Sequence, residues 1–309
     1  MTWNPQHLPD QTGRTIVVTG ATAGIGYFAA EQLAAVGADV VLASRSAAKL
    51  AVAERAIRGQ VPEASLRSVV LELGSLRSVD AAAAELAELP RLDAVFLNGG
   101  VMTMPRGAVT ADGHPVILGT HVLANVRLLA GILPTLAAGD GGRIVHASTG
   151  FVKLFPMRVD DVRRTPWAAI AAYTKAKTVT EVFAFELERR LRAAGAPVAS
   201  IVTRPGVGVD AKTPEREGIR DATTPYQRNP YTLWAQGKDS AAWSGVRALI
   251  DPAARGGEYY APSEGITGAP VAVEPTPRTA TPDGDLAARV WSQLEELAGV
   301  ELVMPEVRV

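Results

Sequence analysis

Six short apolar runs, each separated from the next by a longer Ala- and Leu-rich segment, constrain this chain more than any other feature. The runs are Thr15–Thr19, Asp39–Ala43, Leu66–Leu71, Leu92–Leu97, Gly142–Ala147 and Pro197–Val202. They are nearly continuous in apolar character rather than alternating, as expected of strands covered on both faces. Between them lie helix-like segments at Gly24–Val36, Ala47–Gln60, Leu76–Leu89, Gly113–Ala137 and Ala168–Ala194. Strand and helix alternating this many times predict an α/β fold, a doubly wound parallel sheet with helices on both faces. At about 150 residues per domain, a chain of 309 residues has room for two domains. No internal repeat or low-complexity linker divides it, so one domain spanning 1–309 is expected, with 1–13 as an N-terminal extension.

After Val202 the regularity falls away. Residues 204–239 carry Gly, Pro, Thr and charges with little periodicity and read as a long irregular excursion. A helix (Asp239–Ile250) and a strand (Gly257–Ala261) follow. A tail over 268–309 holds a Pro/Thr-rich stretch, Gly268–Pro282, and a last amphipathic helix near Asp283–Ala298. Excursions of this length in compact domains are usually functional. Lying after the carboxyl end of a central strand, this one is expected to cover a substrate. Its Tyr226, Tyr231, Leu233 and Trp234 are either an apolar pocket wall or ordinary core and interface residues.

Composition removes whole classes of chemistry. With no cysteine, disulfides, iron–sulfur ligation and thiolate catalysis are excluded. The four histidines (His7, His114, His121, His146) show no metal-ligand spacing on one helix, so no metal site is expected. A net charge of −1 gives no electrostatic footprint for nucleic acid. The opening residues lack a basic start and an apolar core, and charged or polar residues interrupt every apolar stretch. Neither a signal peptide nor a membrane span is expected, which leaves the cytoplasm as the default location.

The first run leads directly into Gly20-Ala21-Thr22-Ala23-Gly24-Ile25-Gly26 and then a helix. Glycines there let the backbone turn tightly and approach a pyrophosphate, whose charge then faces the free amides of the helix N-terminus. Strand before and helix after are the context that makes such a motif informative. A dinucleotide site selects its cofactor at the end of the second strand. That strand ends Ala43-Ser44-Arg45, with no carboxylate to bind ribose hydroxyls. Arg45 either offers its planar cation to a 2′-phosphate, favouring NADP(H) over NAD, or points into solvent.

Tyr173 and Lys177 stand four residues apart within the last long helical segment and so share a face. Hydride transfer to a carbonyl needs a proton delivered to the developing alkoxide. A phenol titrates near 10, and bringing it toward neutrality takes about 4 kcal/mol of differential stabilisation. A nearby ammonium acts in that direction.

The glycine spacing G-x-x-x-G-x-G, preceded by Thr19 and followed in order by Y-x-x-x-K, resembles the short-chain dehydrogenase/reductase family from Thr15 to about Pro262. The resemblance implies a Rossmann-type domain. It implies Tyr173 as general acid/base and Lys177 as its electrostatic partner and ribose ligand. Glu72-Leu73 falls where the family has an Asp-hydrophobic pair near the adenine. Asn98-Gly99-Gly100 falls on the family's Asn-Asn-Ala-Gly stretch, with Leu97 in place of its first Asn. Pro205-Gly206 matches the turn beside the nicotinamide, and Asp210 occupies a position the family often gives to Thr or Ser.

The family's catalytic serine position falls on Thr149, with Ser148 as the alternative; a threonine hydroxyl has the same hydrogen-bonding capacity but a stiffer side chain. His121 falls on the family's asparagine. It is either a group titrating near 6.5 that maintains a water relay toward Lys177, or a packed histidine with one satisfied nitrogen. The DG-x-x-x-x-x-G-x-H-x-L stretch, the gap between Thr149 and Tyr173, and Gly256–Pro262 followed by a late helix are similar to the retinol-dehydrogenase-like and protochlorophyllide-reductase-like branch.

That branch implies an oxidoreductase acting with NADP(H) on the carbonyl or alcohol of an apolar small molecule. Two alternatives stay open: an NADP-binding protein with lost or altered catalysis, and a non-redox member such as an epimerase or dehydratase. The segment Ala168–Ala194 carries Val179, Val182, Phe183, Leu187 and Leu191, and the family commonly dimerises through this helix, so a homodimer or homotetramer is expected.

Overall fold

A computed structural model of the chain describes residues 3–102, 105, 107–224 and 229–305. Tyr226 lies outside the described residues. Each of the six apolar runs forms a strand: β1 (Thr15–Thr19), β2 (Asp39–Ser44), β3 (Leu66–Val70), β4 (Ala94–Leu97), β5 (Gly142–Ala147) and β6 (Val198–Thr203). With β7 (Tyr259–Pro262) and β8 (Pro270–Ala272) they make one eight-stranded sheet in the order β3-β2-β1-β4-β5-β6-β7-β8. All neighbours are parallel except β8, which runs antiparallel to β7.

The helices are α1 (Gly24–Ala35), α2 (Ala47–Gln60), α3 (Leu76–Ala87), α4 (Val116–Leu118), α5 (Ala124–Ala137), α6 (Phe151–Leu154), α7 (Ala169–Ala193), α8 (Lys238–Ile250), α9 (Pro277–Ala280) and α10 (Leu286–Ala298). A π-helical turn, Gly119–Leu123, joins α4 to α5 in one continuous helix. Ser46 and Ser75 cap α2 and α3 through their hydroxyls.

The strands are apolar throughout because successive side chains feed two different cores. Ile16, Val18, Val40, Leu42, Ala94 and Phe96 pack on the face carrying α1, α2 and α8. Val17, Val41, Ala43, Val95 and Leu97 pack on the face carrying α3, α5, α7 and α10. This is the α/β, doubly wound architecture the alternation predicts.

Two expectations are corrected. The Pro/Thr-rich stretch holds β8 and α9; a three-residue edge strand opening on Pro270 is too short to show periodicity, and proline is tolerated there. The helix expected from Gly113 begins at Val116, because Gly113 has φ +82° and Pro115 precedes the first turn. The excursion is irregular but tethered. Arg216 makes a two-pronged contact to Glu31 of α1, at 2.6 and 2.8 Å, and the Lys212 ammonium donates to the Ala235 carbonyl at 2.6 Å.

Val179, Val182, Phe183, Leu187 and Leu191 of α7 lie buried inside the chain. Helix α10 lies over α7, with Trp291 stacked on Phe183 at 5.2 Å and the Arg190 guanidinium 4.2 Å from the Trp291 ring. Trp291 of α10 thus covers Phe183, one of these five residues, from within the same chain. The stretch Val116–Ala137 is long and apolar enough to cross a membrane by length and composition alone, and in this fold it packs mostly buried against α3 and α7.

Candidate active site

Strand order reverses between β1 and β4, and in sheets of this kind ligands bind in the crevice beyond the carboxyl ends of the strands at that point. A cavity of about 360 Å3 occupies it. It is lined by Gly20, Thr22 and Ala23 after β1, Ser44 and Arg45 at the end of β2, Glu72 and Leu73 after β3, and Asn98, Gly99 and Gly100 after β4. Val101 and Thr120 also line it; neither stood out in the sequence, because neither belongs to a recognisable motif.

The glycines of the turn answer to close backbone approach. Gly20 has φ +70°, and a Cβ on it would lie 2.9 Å from the Gly99 Cα. A Cβ on Gly26 would meet the Gly20 carbonyl oxygen at 2.4 Å. The Thr19 hydroxyl accepts from the backbone N–H groups of Asn98 and Gly99 at 3.0 and 2.9 Å, clamping the two loops together. Helix α1 starts at Gly24 with Ala23 as its N-cap, which contributes no side-chain hydrogen bond. Its first amides are therefore left for another acceptor. An uncapped helix start beside glycines packed this tightly fits a pyrophosphate. Ile25 packs against the α1 core rather than lining the cavity.

At the far end the Thr22 and Ser44 hydroxyls are 3.1 Å apart. Arg45 reaches Glu72 at 4.0 Å with both side chains well exposed. Pro205 and Gly206 do not line this cavity; they anchor the excursion. The Pro205 carbonyl accepts from the Gln236 side chain at 2.9 Å, and a Cβ on Gly206 would strike the Ile266 carbonyl at 2.2 Å. Asp210 pairs with Lys238 at 2.5 Å, so its carboxylate is engaged by a cation. Lys238 itself lies against the phosphate turn, its Cδ 3.7 Å from where a Gly24 Cβ would be. It opens α8 without any motif around it, and the sequence offered no sign of this position.

The proton-transfer residues meet where the end of β5 faces α7. The Thr149 side chain stands beside the Tyr173 phenol and draws its pKa down. Lys177, buried, donates to the Ala147 carbonyl at 2.6 Å, with its ammonium 5.9 Å from the centre of the Tyr173 ring. Ser148 turns away and donates to the buried Glu181 carboxylate at 2.5 Å. Thr149 and Ser148 thus face opposite partners, and only Thr149 reaches the phenol.

His121 meets Tyr173 edge to face at 5.3 Å between ring centres. Its Nε2 pairs with the Val101 carbonyl at 2.8 Å, while Nδ1 is buried without a partner among the described residues. Burial and then the Lys177 cation push its pKa down to about 3, so it is neutral at ordinary pH. A histidine titrating near 6.5 is not what the fold builds. The Tyr173 phenol also departs from expectation: burial pushes it up to about 12, against the smaller opposing effect of the Thr149 side chain. Burial likewise pushes the Lys177 ammonium down to about 7, with the Glu181 charge opposing.

Gly100 connects the cavity to this group. A Cβ there would lie 2.1–2.7 Å from three atoms of the His121 ring. Gly100→Ala is expected to cost about 1–3 kcal/mol in urea denaturation, the range for overpacking a filled interior. Truncation in the double variant Gly100→Ala/His121→Ala should cancel part of that cost; strictly additive effects would show the contact to be immaterial.

The family model described as short chain dehydrogenase matches residues 14–218. Mouse (Mus musculus) polyprenol dehydrogenase is 32% identical over 306 residues, covering 96% of this chain and 87% of that protein. Human (Homo sapiens) retinol dehydrogenase 13 is 29% identical over 303 residues, with coverage of 96% and 87%. Among solved structures, an uncharacterized protein from Mycobacterium paratuberculosis superimposes with a TM-score of 0.78 at 26% identity, covering 98% of this chain and 99% of its own. A short chain dehydrogenase from Shigella flexneri 2a, solved as a complex with NADP, superimposes with a TM-score of 0.61 at 23% identity, over 81% and 96% of the two chains.

Proposed function

The chain belongs to the short-chain dehydrogenase family, and from that premise we propose that it moves a hydride between NADP(H) and the alcohol or carbonyl carbon of an apolar small molecule. The observation that carries this reading is the Thr149–Tyr173–Lys177 group, which touches the dinucleotide-shaped crevice through Gly100 and His121. A nicotinamide held in the crevice would supply or accept the hydride. Tyr173 holds the proton that a carbonyl oxygen needs as it becomes an alcohol, and takes it back in the reverse direction. Thr149 stands beside the same phenol and so helps orient it, while Lys177 stabilises the phenolate left behind.

Arg45 supports NADP(H) over NAD. It stands two-thirds exposed at the cavity lip, where its long contact to Glu72 has little to lose to a 2′-phosphate. No carboxylate ends β2 to favour free ribose hydroxyls. The expected result is tighter binding of NADPH than NADH, with Arg45→Ala weakening NADPH about ten- to a hundredfold and NADH little. Fluorescence titration of the reduced nicotinamides measures it. A chain preferring NADH sinks the cofactor assignment.

An apolar substrate is supported by a second groove of about 350 Å3, lined by Val109, Pro115, Val116, Ile117, Trp167 and Ala172. Ala172, on the wall of this groove, is the residue before Tyr173 on α7. Polyprenol and retinol, the alcohols in the relatives' names, are the first compounds to assay, beside short aldehydes and ketones. Turnover confined to small polar carbonyls would overturn the apolar assignment. Tight cofactor binding without turnover on any compound would overturn the oxidoreductase reading.

A further inference from the structure

Glu181 is fully buried on α7, one helical turn beyond Lys177 and two beyond Tyr173. Its carboxylate receives three hydroxyls from three separate elements: Ser148 after β5 at 2.5 Å, Tyr259 of β7 at 2.9 Å and Thr279 of α9 at 2.9 Å. A buried carboxylate is costly unless hydrogen-bonded and set against a cation. Here the hydroxyls meet the first need. Among the described residues no direct ion pair meets the second; Lys177 instead donates to Ala147, one residue before Ser148.

Three consecutive strand-end residues therefore meet three successive turns of one helix. Ala147 receives Lys177, Ser148 binds Glu181, and Thr149 stands beside Tyr173, whose pKa it lowers. We propose that Glu181 is a positioning residue for proton transfer, supplying the counter-charge for the buried Lys177 ammonium and locking Ser148 so that Thr149 is presented to Tyr173. This rests on the oxidoreductase reading for its purpose, but not for its geometry.

The charged and titratable groups around this box are few. Lys177 shares its helix, Arg278 approaches from α9, and Arg204 faces Tyr259 from the end of β6. His146 of β5 also feels the Lys177 cation and is held neutral by burial. Glu181 is the acidic group acting on Lys177, and its charge favours the protonated amine.

The test is the titration of lysine side-chain Cε resonances by NMR in the whole chain, with the Lys177 signal identified by its loss in Lys177→Arg. In the native chain Lys177 is expected to titrate near pH 7. In Glu181→Gln, which keeps the shape and removes the charge, the midpoint should fall by about one pH unit or more, and Glu181→Asp should restore most of it. A folded Glu181→Gln chain with an unmoved Lys177 midpoint overturns the proposal. Should that variant not fold, Tyr259→Phe reads the same coupling. Burial already pushes the Glu181 carboxyl up, and losing a donor favours its neutral form and withdraws counter-charge. The midpoint therefore falls in the same direction, and an unmoved midpoint again overturns it. The resonance reports Lys177 whether or not the chain turns anything over. A shifted midpoint without turnover therefore keeps the positioning role and removes the oxidoreductase reading, and turnover with an unmoved midpoint does the reverse.

Discussion

Replacing Tyr173 by phenylalanine is expected to lower kcat about a hundred- to ten-thousandfold, the range for losing a positioned general acid, while dinucleotide affinity stays near the native value. The substitution deletes one oxygen. The ring that packs edge to face on His121 at 5.3 Å stays in place, so the cavity beside Gly100 should keep its shape. Only the interaction with the Thr149 side chain is lost. Steady-state rates on the best compound of the panel, together with fluorescence titration of NADPH, separate the two effects. Because burial pushes the free phenol up to about 12, the native chain near pH 7 holds a protonated Tyr173, ready to donate in the direction of carbonyl reduction. Residual turnover within a few-fold of native would remove Tyr173 from the chemistry.

Lys177→Met should act on turnover and stability in opposite directions. The ammonium is buried and pushed down to about 7, whereas in the unfolded chain it titrates near 10.4. Between those values the unfolded state binds more protons than the folded one, so folding stability rises with pH across roughly 7 to 10. Below pH 7 the full cost of burying the cation is present. Removing it should stabilise the fold at pH 7 by on the order of a few kcal/mol and flatten the rise toward pH 10. Turnover should fall about a hundredfold or more, since the phenolate would keep only the Thr149 side chain to stabilise it. His121 and His146, each held near 3 by burial, act in a separate and lower window: stability falls as pH drops below about 6.5. Urea denaturation at several pH values tests this. Unchanged pH dependence in Lys177→Met would mean that the native ammonium is better solvated than its burial implies.

Much of the fold was legible because it rests on local periodicity. Runs such as Thr15–Thr19 are apolar at every position since alternate side chains enter two cores, and that double burial is written directly into the residues. The phosphate turn was legible for a similar reason. Gly20, Gly24 and Gly26 stand where backbones converge, and sterics admit no other residue at the tightest of these points. Elements held by long-range contacts were not legible. β8 is three residues long and exists because β7 offers it an edge. Helix α10 was expected, but not its seat on α7, where Trp291 stacks on Phe183.

The same division runs through the site. The order of residues alone sets which groups are present: a phenol and an ammonium on one helix face, hydroxyls at a strand end, a cation after β2, and no thiol. Helix pitch and strand order fix such things locally. Packing assigns each group its neighbours. It gave Thr149 to Tyr173 and Ser148 to Glu181, although the two hydroxyls are adjacent in the chain. It buried His121 until it could no longer carry a proton near neutrality, and engaged Asp210 with Lys238 from 28 residues further along. Titration and pairing depend on desolvation and on neighbours that arrive from other strands, and those are set when the sheet closes, not when the residues are chosen.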